Sequence, residues 1–309
     1  MADENSDDSK LSLQAKIVRG ITSAYFDLFV DPANFNPKTA RERLDLLGRF
    51  VPVASGVKVE KAEVTGLAAE WLRPRQNTPG KVLLYLHGGA YVLGSCHSHR
   101  HMVSYLAREG HVDALLPEYR LAPEDRFPAA VDDAVAVFRW LISQGYNADD
   151  IIVAGDSAGG GLSVAMMLAL RESGGPLPKA AFLLSPWLDL SASGESIETR
   201  RNRDPWFKPE DMPVAASFYC EEDEVRNPLV SPVYAEMHDM PKTFVQVGDD
   251  EILLSDATRL VDGIRAAGGD AEIEVFHEMW HVFQAFLLVM PEARDAIRTL
   301  GEHIRNTIR

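Results

Sequence analysis

The sequence has 309 residues, of which 46% are apolar and 25% are charged, and its formal net charge is −15. This composition is ordinary for a globular protein and excludes a disordered or fibrous chain. The acidic charge argues against a nucleic-acid partner, because nucleic-acid-binding proteins concentrate lysine and arginine on one face. Residues 1–10 are acidic, unlike a signal peptide, and no apolar run reaches the roughly 18 residues of a membrane span. With only Cys96 and Cys220 in the chain, we expect a cytoplasmic protein without a disulfide framework, a zinc site or a membrane partner.

Residues 1–50 differ in pattern from the rest of the chain. A polar tip is followed by two segments with helical spacing of their apolar residues, 11–29 and 39–50, and the break at Asp31-Pro32 separates them. From about Val57 the chain alternates polar and apolar residues, as half-buried antiparallel strands do. We therefore expect an N-terminal helical segment ahead of the main domain.

The remainder of the chain alternates short apolar runs with helix-length segments. The runs are VLLYL, ALLP, IIVA, AAFLLS, TFVQVG and AEIEVF. Several of the segments between them close with glycine, as helix C-termini do. This alternation predicts a mostly parallel sheet with helices on both faces. A polar and then aromatic stretch at about residues 190–220 interrupts it, and insertions of that length in α/β domains are often lids.

The strongest chemical signal is Gly155-Asp156-Ser157-Ala158-Gly159, which lies between an apolar run and a helix-like segment. A turn from strand to helix holds such a serine in a strained conformation and lifts its Oγ out of the sheet. Glycines are needed beside it because a Cβ at their positions would clash. The N-terminus of the following helix favours a developing oxyanion. In this context the segment predicts a nucleophilic Ser157 rather than a flexible turn.

A second glycine-rich segment, His87-Gly88-Gly89-Ala90, follows directly on a predicted strand. Ligands of open α/β sheets bind at the carboxyl edge of the strands, where these backbone amides lie. Alone, the segment would be typical of a turn with a structural histidine. Together with the serine turn, it predicts an oxyanion hole formed by the N–H groups of Gly88, Gly89 and Ala158.

A nucleophilic serine needs a histidine base, and the base needs an acid that orients it. In the expected chain order the acid and the histidine follow the serine, each after a strand. Asp249, Asp250 and Glu251 all follow the run TFVQVG, and the residues alone leave the choice among them open. Two histidines follow AEIEVF. His277 continues the strand and is interpreted as structural, whereas His281 lies in a turn ahead of a predicted apolar helix and can reach the serine.

The motifs HGGAYVLGS, EYRLAPE, GDSAGG and HVFQAF occur in this order along the chain. In that order and spacing they resemble the bacterial hormone-sensitive-lipase-like esterases, family IV of the α/β-hydrolase superfamily, from about Leu11 to the C-terminus. The resemblance implies an α/β-hydrolase fold, with a mostly parallel eight-stranded sheet flanked by helices and covered by a helical cap. It also implies that residues 1–50 and the insertion at about 190–220 form the cap, and that residues 51–309 form the catalytic domain.

The family places its acid three residues after the glycine that ends the strand, in a G-x-x-D-P-L pattern. The matching position here is Glu251, with Asp250 the second candidate, and glutamate variants of the pattern occur in the family. The resemblance therefore implies a triad of Ser157, Glu251 and His281. Ala90 replaces the third glycine of the family's first motif, which leaves the predicted oxyanion hole unchanged because only the two preceding glycines are expected to donate.

A cluster of histidines needs a separate interpretation. His97, His99 and His101 alternate along the chain, and the first and last have the i, i+4 spacing of a metal-binding pair. No carboxylate stands near them in sequence, and the segment opens a predicted helix. We interpret these histidines as structural and expect neither a metal nor a cofactor.

Aromatic residues in or beside the insertion are expected to form a hydrophobic acyl or alcohol pocket. The set comprises Trp187, Trp206, Phe207, Phe218 and Tyr219, and the flanking residues Tyr91 and Trp280 are expected to line the same pocket. Ordinary core packing of these side chains is the alternative.

The implied function is a serine carboxylesterase, a carboxylic ester hydrolase that acts on small-molecule esters with short-to-medium acyl chains through an acyl-enzyme on Ser157. An amide or N-acyl hydrolase, such as a deacetylase or formamidase, would use the same triad. A non-catalytic receptor of this fold is disfavoured because serine, acid and histidine are all present. The family also commonly dimerises through the edge strand AEIEVF, so a homodimer is a further hypothesis.

Overall fold

A computed structural model describes residues 11–29 and 35–308, without the side chains of 25–29. The acidic tip at 1–10 and the break predicted at Asp31-Pro32 lie outside the described residues. Within them, no helix is both long enough and apolar enough to cross a membrane.

The fold is built on one eight-stranded sheet. Its strands are β1 Val57–Val64, β2 Leu67–Pro74, β3 Val82–Leu86, β4 Asp113–Pro117, β5 Ile151–Asp156, β6 Ala180–Leu184, β7 Lys242–Gly248 and β8 Ala271–Phe276. Their spatial order is β1-β2-β4-β3-β5-β6-β7-β8. β2 pairs antiparallel with β1 and β4, and the other neighbours are parallel. The predicted mostly parallel eight-stranded sheet is therefore confirmed.

Helices cover both faces of this sheet. They are α3 Cys96–Gly110, α4 Ala129–Ser143, α5 Ala158–Glu172, α8 Leu254–Ala266 and α9 Pro291–Thr307. Buried apolar side chains form two clusters. Val82, Leu84 and Leu86 of β3 belong to the first, with residues of α4, α5 and α8. Leu83 and Tyr85 belong to the second, with residues of α3 and α9, because successive side chains of a strand point to opposite faces.

Two further parts of the chain carry helices outside this framework. The N-terminal part has α1 Leu13–Phe29 and α2 Pro37–Phe50, and the connection from β6 to β7 has α6 Ser196–Thr199 and α7 Asp211–Tyr219. The insertion expected at about 190–220 lies in this connection. Asn36 caps α2 by accepting a hydrogen bond from the N–H of Thr39, and a proline occupies the first helical position, where the missing N–H is tolerated.

The prediction of an apolar helix after His281 is wrong. Residues 283–286 form a short 3₁₀ turn, and the long helix α9 begins only at Pro291. Val282 has a left-handed φ of 46°, which an α-helix does not allow. Pro291 restricts the preceding Met290 to an extended conformation, with φ −109° and ψ 126°, so a helix cannot run through it. Proline instead starts α9, where it is favoured.

Candidate active site

Ser157 lies in the turn between β5 and α5. Its φ of 52° and ψ of −123° are outside the helical and strand regions, a conformation that is strained for a residue with a Cβ. The N–H of Ser157 donates to the carbonyl of Leu184 over 2.9 Å. A Cβ at Gly155 would clash with the carbonyl of Gly159, and one at Gly159 would clash with that of Leu86. The two glycines therefore permit the close packing that holds the serine in this conformation.

His281 connects the serine to a buried glutamate. Its Nε2 lies 2.9 Å from Oγ of Ser157, and its Nδ1 lies 3.2 Å from Oε2 of Glu251. All three side chains are buried, with the serine 8% exposed. A carboxylate at Nδ1 holds the proton on that nitrogen and leaves Nε2 able to accept the serine proton. The structure thus brings together the three residues that the sequence predicted as a triad.

The second oxygen of Glu251 is held by two donors. Oγ of Ser185 and the N–H of Gly248 both donate to Oε1 over 2.6 Å. Ser185 also accepts from the N–H of Val282 over 3.0 Å, which ties the turn after β6 to the histidine. Ser185 is not among the residues predicted from the sequence. Its only signal is that it directly follows β6, the neighbour of the strand that precedes the acid.

The other two candidate acids have different partners. Oδ2 of Asp249 lies 3.0 Å from Nδ1 of His277, at an exposed position. Asp250 forms ion pairs with two arginines. Of the three acids that follow β7, Glu251 is the one whose carboxylate contacts His281.

The predicted oxyanion hole needs a correction. The N–H of Gly88 donates to Oδ1 of Asp156 over 3.1 Å, so it is not available to a substrate. In the described part of the chain, the N–H groups of Gly89, Ala90 and Ala158 donate to no protein acceptor. Gly89 has a φ of 117° and Ala90 a φ of 56°, so the loop turns sharply at these amides. The two available donors of this loop are therefore Gly89 and Ala90 instead of Gly88 and Gly89, and Ala158 is unchanged.

Asp156, which accepts the hydrogen bond from Gly88, belongs to a buried polar network. The carboxylate of Asp156 also accepts from the Tyr85 hydroxyl over 2.8 Å and lies 3.4 Å from Nε2 of His99. Burial disfavours its charge, but the neighbouring His99 lowers the pKa of Asp156 below its ordinary value. Burial lowers the pKa of His87 to about 3, so that ring is neutral where it stacks on Tyr119 at 4.3 Å.

The alternating histidines have separate partners. His99 faces Asp156, whereas Nε2 of His101 lies 3.1 Å from the carbonyl of Ala285. These contacts join α3 to the end of β5, next to Ser157, and to the 3₁₀ turn after His281. Within the described residues, no three His, Cys, Asp or Glu side chains form a group that could hold a metal ion.

Two aromatic residues of the insertion pack against the imidazole of His281. The rings of Phe207 and Trp206 meet the His281 ring edge-on, with centroids 5.0 and 6.3 Å away. The other expected pocket residues lie deeper. Three of them lie in the two core clusters and are at most 2% exposed, namely Tyr91, Trp187 and Trp280. Their rings already pack against core neighbours, as in the stacking of Tyr91 on Tyr219 at 3.8 Å.

A further buried carboxylate lies beside the triad. Asp204 accepts from the N–H of Trp206 over 2.9 Å and from the N–H of Ile252 over 3.1 Å. Burial raises the pKa of Asp204 to about 6. Burial also lowers the pKa of His281, but the hydrogen bond and charge of Glu251, with a smaller effect of Asp204, raise it overall above its ordinary value. No sequence pattern marks this residue, which reads only as an acidic side chain in the insertion.

Known proteins share this architecture. A family model for the α/β-hydrolase fold matches residues 83–285. The acetyl-hydrolase of Streptomyces hygroscopicus is 41% identical over 89% of this chain and 90% of its own, and an esterase of Acinetobacter venetianus is 32% identical over 87% and 89%. The crystal structure of an esterase from the bacterial hormone-sensitive lipase family has a TM-score of 0.89 and 39% identity, and covers 100% of both chains. The chain therefore belongs to the α/β-hydrolase family and, within it, to the bacterial hormone-sensitive-lipase-like esterases, a group of carboxylic ester hydrolases.

Proposed function

We propose that this protein is a serine carboxylesterase that hydrolyses small-molecule esters with short-to-medium acyl chains through an acyl-enzyme on Ser157. The observation that carries the proposal is the buried hydrogen-bonded chain from Ser157 through His281 to Glu251, beside three available N–H donors. Relatives named esterase and carboxylesterase support an ester as the bond that is cleaved.

The first half of the reaction forms the acyl-enzyme. Oγ of Ser157 attacks the ester carbonyl while Nε2 of His281 takes its proton, and Glu251 stabilises the resulting imidazolium. The N–H groups of Gly89, Ala90 and Ala158 face the oxyanion, and each well-placed donor contributes about 3–4 kcal/mol to the transition state. The bond from carbon to the alkoxy oxygen then breaks, and the alcohol leaves with the proton from Nε2.

The second half returns the enzyme to its starting state. Nε2 of His281 takes a proton from a water molecule, whose oxygen attacks the acyl carbonyl in the same oxyanion site. The bond to Oγ breaks, Ser157 recovers its proton from the imidazolium, and the carboxylic acid leaves. Deacylation repeats the acyl transfer with water in place of the alcohol, so Nε2 of His281 carries the proton in both halves and the oxyanion hole only donates hydrogen bonds.

The pocket proposal centres on Trp206 and Phe207. Their rings stand against the imidazole from the insertion side, so they limit the volume beside the reacting carbonyl. Close relatives named acetyl-hydrolase support the short end of the acyl range. We expect turnover of nitrophenyl esters to be highest for short acyl chains and to fall as the chain lengthens.

An organophosphonate experiment tests the mechanism directly. Such a reagent labels an activated serine stoichiometrically, and the label should appear on Ser157 in the wild-type protein and be lost in Ser157→Ala. Absence of labelling in the folded wild-type protein would contradict the proposal and favour a non-catalytic receptor of the same fold.

An amide or N-acyl hydrolase is the second candidate. The relatives named acetyl-hydrolase favour it to the extent that an acetyl group can be released from oxygen or from nitrogen. A panel of matched esters and anilides separates the two, because amide cleavage depends more strongly on protonation of the leaving nitrogen. Higher turnover of the anilides would overturn the ester assignment.

We also propose a cytoplasmic location. Cys96 and Cys220 are both buried and unpaired, and proteins without disulfides are typical of reducing compartments. Cell fractionation with an antibody against the protein tests this, and recovery from an extracellular or envelope fraction would contradict it.

A further inference from the structure

The loops that carry the triad acid and the triad histidine are joined to each other. We call residues 249–252 the acid loop and residues 277–281 the histidine loop. The N–H of Glu278 donates to Oδ1 of Asp249 over 2.6 Å, and the N–H of Asp250 donates to the carbonyl of Met279 over 3.0 Å. These two bonds fix the relative position of the loops, and with it the distance between Glu251 and His281.

One side chain from the N-terminal helix α1 contacts both loops. Nη1 of Arg19 donates to Oδ2 of Asp250 over 2.6 Å and to the carbonyl of Glu278 over 3.1 Å. Its Nη2 donates to the carbonyl of Arg203 in the insertion over 2.5 Å. The planar guanidinium fixes these three directions together. Arg19 thus connects α1, the insertion, the acid loop and the histidine loop.

The insertion holds the same acid loop from its own side. Nε of Arg203 lies 2.5 Å from Oδ1 of Asp250, so this carboxylate is enclosed by two arginines. Nε of Arg200 donates to the carbonyl of Asp249 over 2.6 Å. With the bonds that join Ile252 to Asp204 and to Ser196, the insertion therefore contacts the acid loop at four points.

The ion pair between Arg19 and Asp250 is largely shielded from solvent. The side chain of Asp250 is 3% exposed, and that of Arg19 is 26% exposed. Removing one partner of a buried pair leaves a charge without full compensation, so the loop that carries it shifts to recover solvation. Asp250 is the neighbour of Glu251 in the chain, and catalytic geometry is sensitive to displacements of about 1 Å. In the described residues, the contacts of Arg19 include neither Ser157 nor His281.

We propose that Arg19 is a positioning residue for catalysis: together with Arg203 it clasps Asp250, so that docking of α1 sets the geometry between Glu251 and His281. The inference rests on the proposed function. Its competitor is a purely structural role, in which Arg19 attaches α1 to the domain and contributes to stability alone.

Kinetics of Arg19→Met separate these roles. The variant keeps the length of the side chain and loses its donors, and we expect kcat for a short nitrophenyl ester to fall about tenfold while KM changes less than about twofold. Arg19→Lys restores one donor to Asp250 and should recover part of kcat. The matched control is Arg73→Met, which removes an arginine of similar exposure that pairs with Glu60 and Asp113 at the far end of the sheet. The control should lower the melting temperature and leave kcat unchanged.

A double-variant cycle with Asp250→Asn completes the test. If Arg19 acts through Asp250, the double variant should lose about as much kcat as Asp250→Asn alone, since contacting residues are not additive. The proposal is overturned if Arg19→Met keeps wild-type kcat and only melts earlier, or if the two losses multiply in the double variant. Failure of the proposed function has a different signature, because the wild-type protein itself would then neither hydrolyse esters nor be labelled on Ser157.

Discussion

The imidazole of His281 is subject to two opposing effects on its pKa. Burial disfavours the charged ring, whereas the carboxylate of Glu251 favours it and the raised pKa that results keeps the ring basic. Asp204, whose own pKa is about 6, also raises the pKa of His281 when it is ionised. In the proposed mechanism His281 must be neutral before it can accept the serine proton, so we expect its raised pKa to set the acid limit of activity.

We predict that kcat/KM falls as the pH decreases through a value above 6.5, the ordinary pKa of histidine. In Glu251→Gln the carboxylate that raises the pKa of His281 is gone, so the acid limb of the residual activity should move to lower pH. The measurement is kcat/KM against pH for both proteins. An acid limb that stays in place would show that Glu251 does not control this ionisation.

The choice of acid is tested by ranking two variants. Glu251→Gln removes the charge that contacts His281, and we expect kcat to fall about 10³- to 10⁴-fold, as for other triads without their acid. Asp250→Asn alters a residue that is ion-paired with arginines, and we expect a loss of only about tenfold. Both should be measured at saturating ester. The reverse order would transfer the triad role to Asp250.

The turn between β5 and α5 stores strain at its central residue. Ser157 has a positive φ, which glycine adopts without a steric penalty and alanine does not. Ser157→Ala and Ser157→Gly should both lose turnover and remain folded. The glycine variant should be more stable than the alanine variant by about 1 kcal/mol, because relief of strain of about 1–3 kcal/mol outweighs the greater flexibility of the unfolded chain.

Urea unfolding of the two inactive variants provides the measurement. Comparing them with each other, rather than with the wild-type protein, removes the contribution of the serine hydroxyl and its bond to His281. Equal stabilities, or a more stable alanine variant, would mean that the turn relaxes at no cost and that its conformation is not strained.

The elements that the sequence predicts well are those with local causes. The strand β5, the turn at Ser157 and the start of α5 follow from an apolar run, small residues and a helical period within about twenty positions of the chain. The helix expected over 282–290 does not form, although the periodicity favours it. Pro291 disfavours the helical conformation at Met290 alone, and residues 283–286 form a 3₁₀ turn after a left-handed Val282.

Other features depend on contacts between distant parts of the chain, which sequence spacing does not reveal. Gly88 was expected to donate to the oxyanion, but a carboxylate 68 positions away occupies its N–H. Arg19 and Asp250 are 231 positions apart, and Ser185 reaches Glu251 across 66. A loop donor's partner is decided by tertiary packing, so the motif predicts the loop and leaves open which of its amides is available.

At the scale of the whole molecule, where the net charge is −15, acidic and basic side chains around the site come from different parts of the chain. The acid loop is anionic, and the arginines that neutralise it come from α1 and from the insertion. Attachment of these two parts therefore depends on charge pairing at the same place where the triad is assembled. High salt should weaken the half-exposed contacts more than the buried ones, since screening acts mainly through solvent.

The sheet ends at β8, and this edge carries the final prediction. Among the described strands β8 pairs only with β7, and Val275 is 47% exposed on it. An open edge offers unpaired N–H and C=O groups to a second strand, so a homodimer through β8 remains our proposal for the assembly of this protein. Light scattering should then give twice the chain mass of 34.1 kDa.

Two glutamate substitutions locate the interface. Val275→Glu adds a third acid to a strand that already has Glu272 and Glu274, and like charges would face each other across a two-fold axis, so this variant should scatter as a monomer. Val289→Glu is the control, because that valine is similarly exposed, at 52%, and lies outside the strand. It should keep the dimer mass. A monomeric wild-type protein, or a dimer that survives Val275→Glu unchanged, would contradict pairing through this edge.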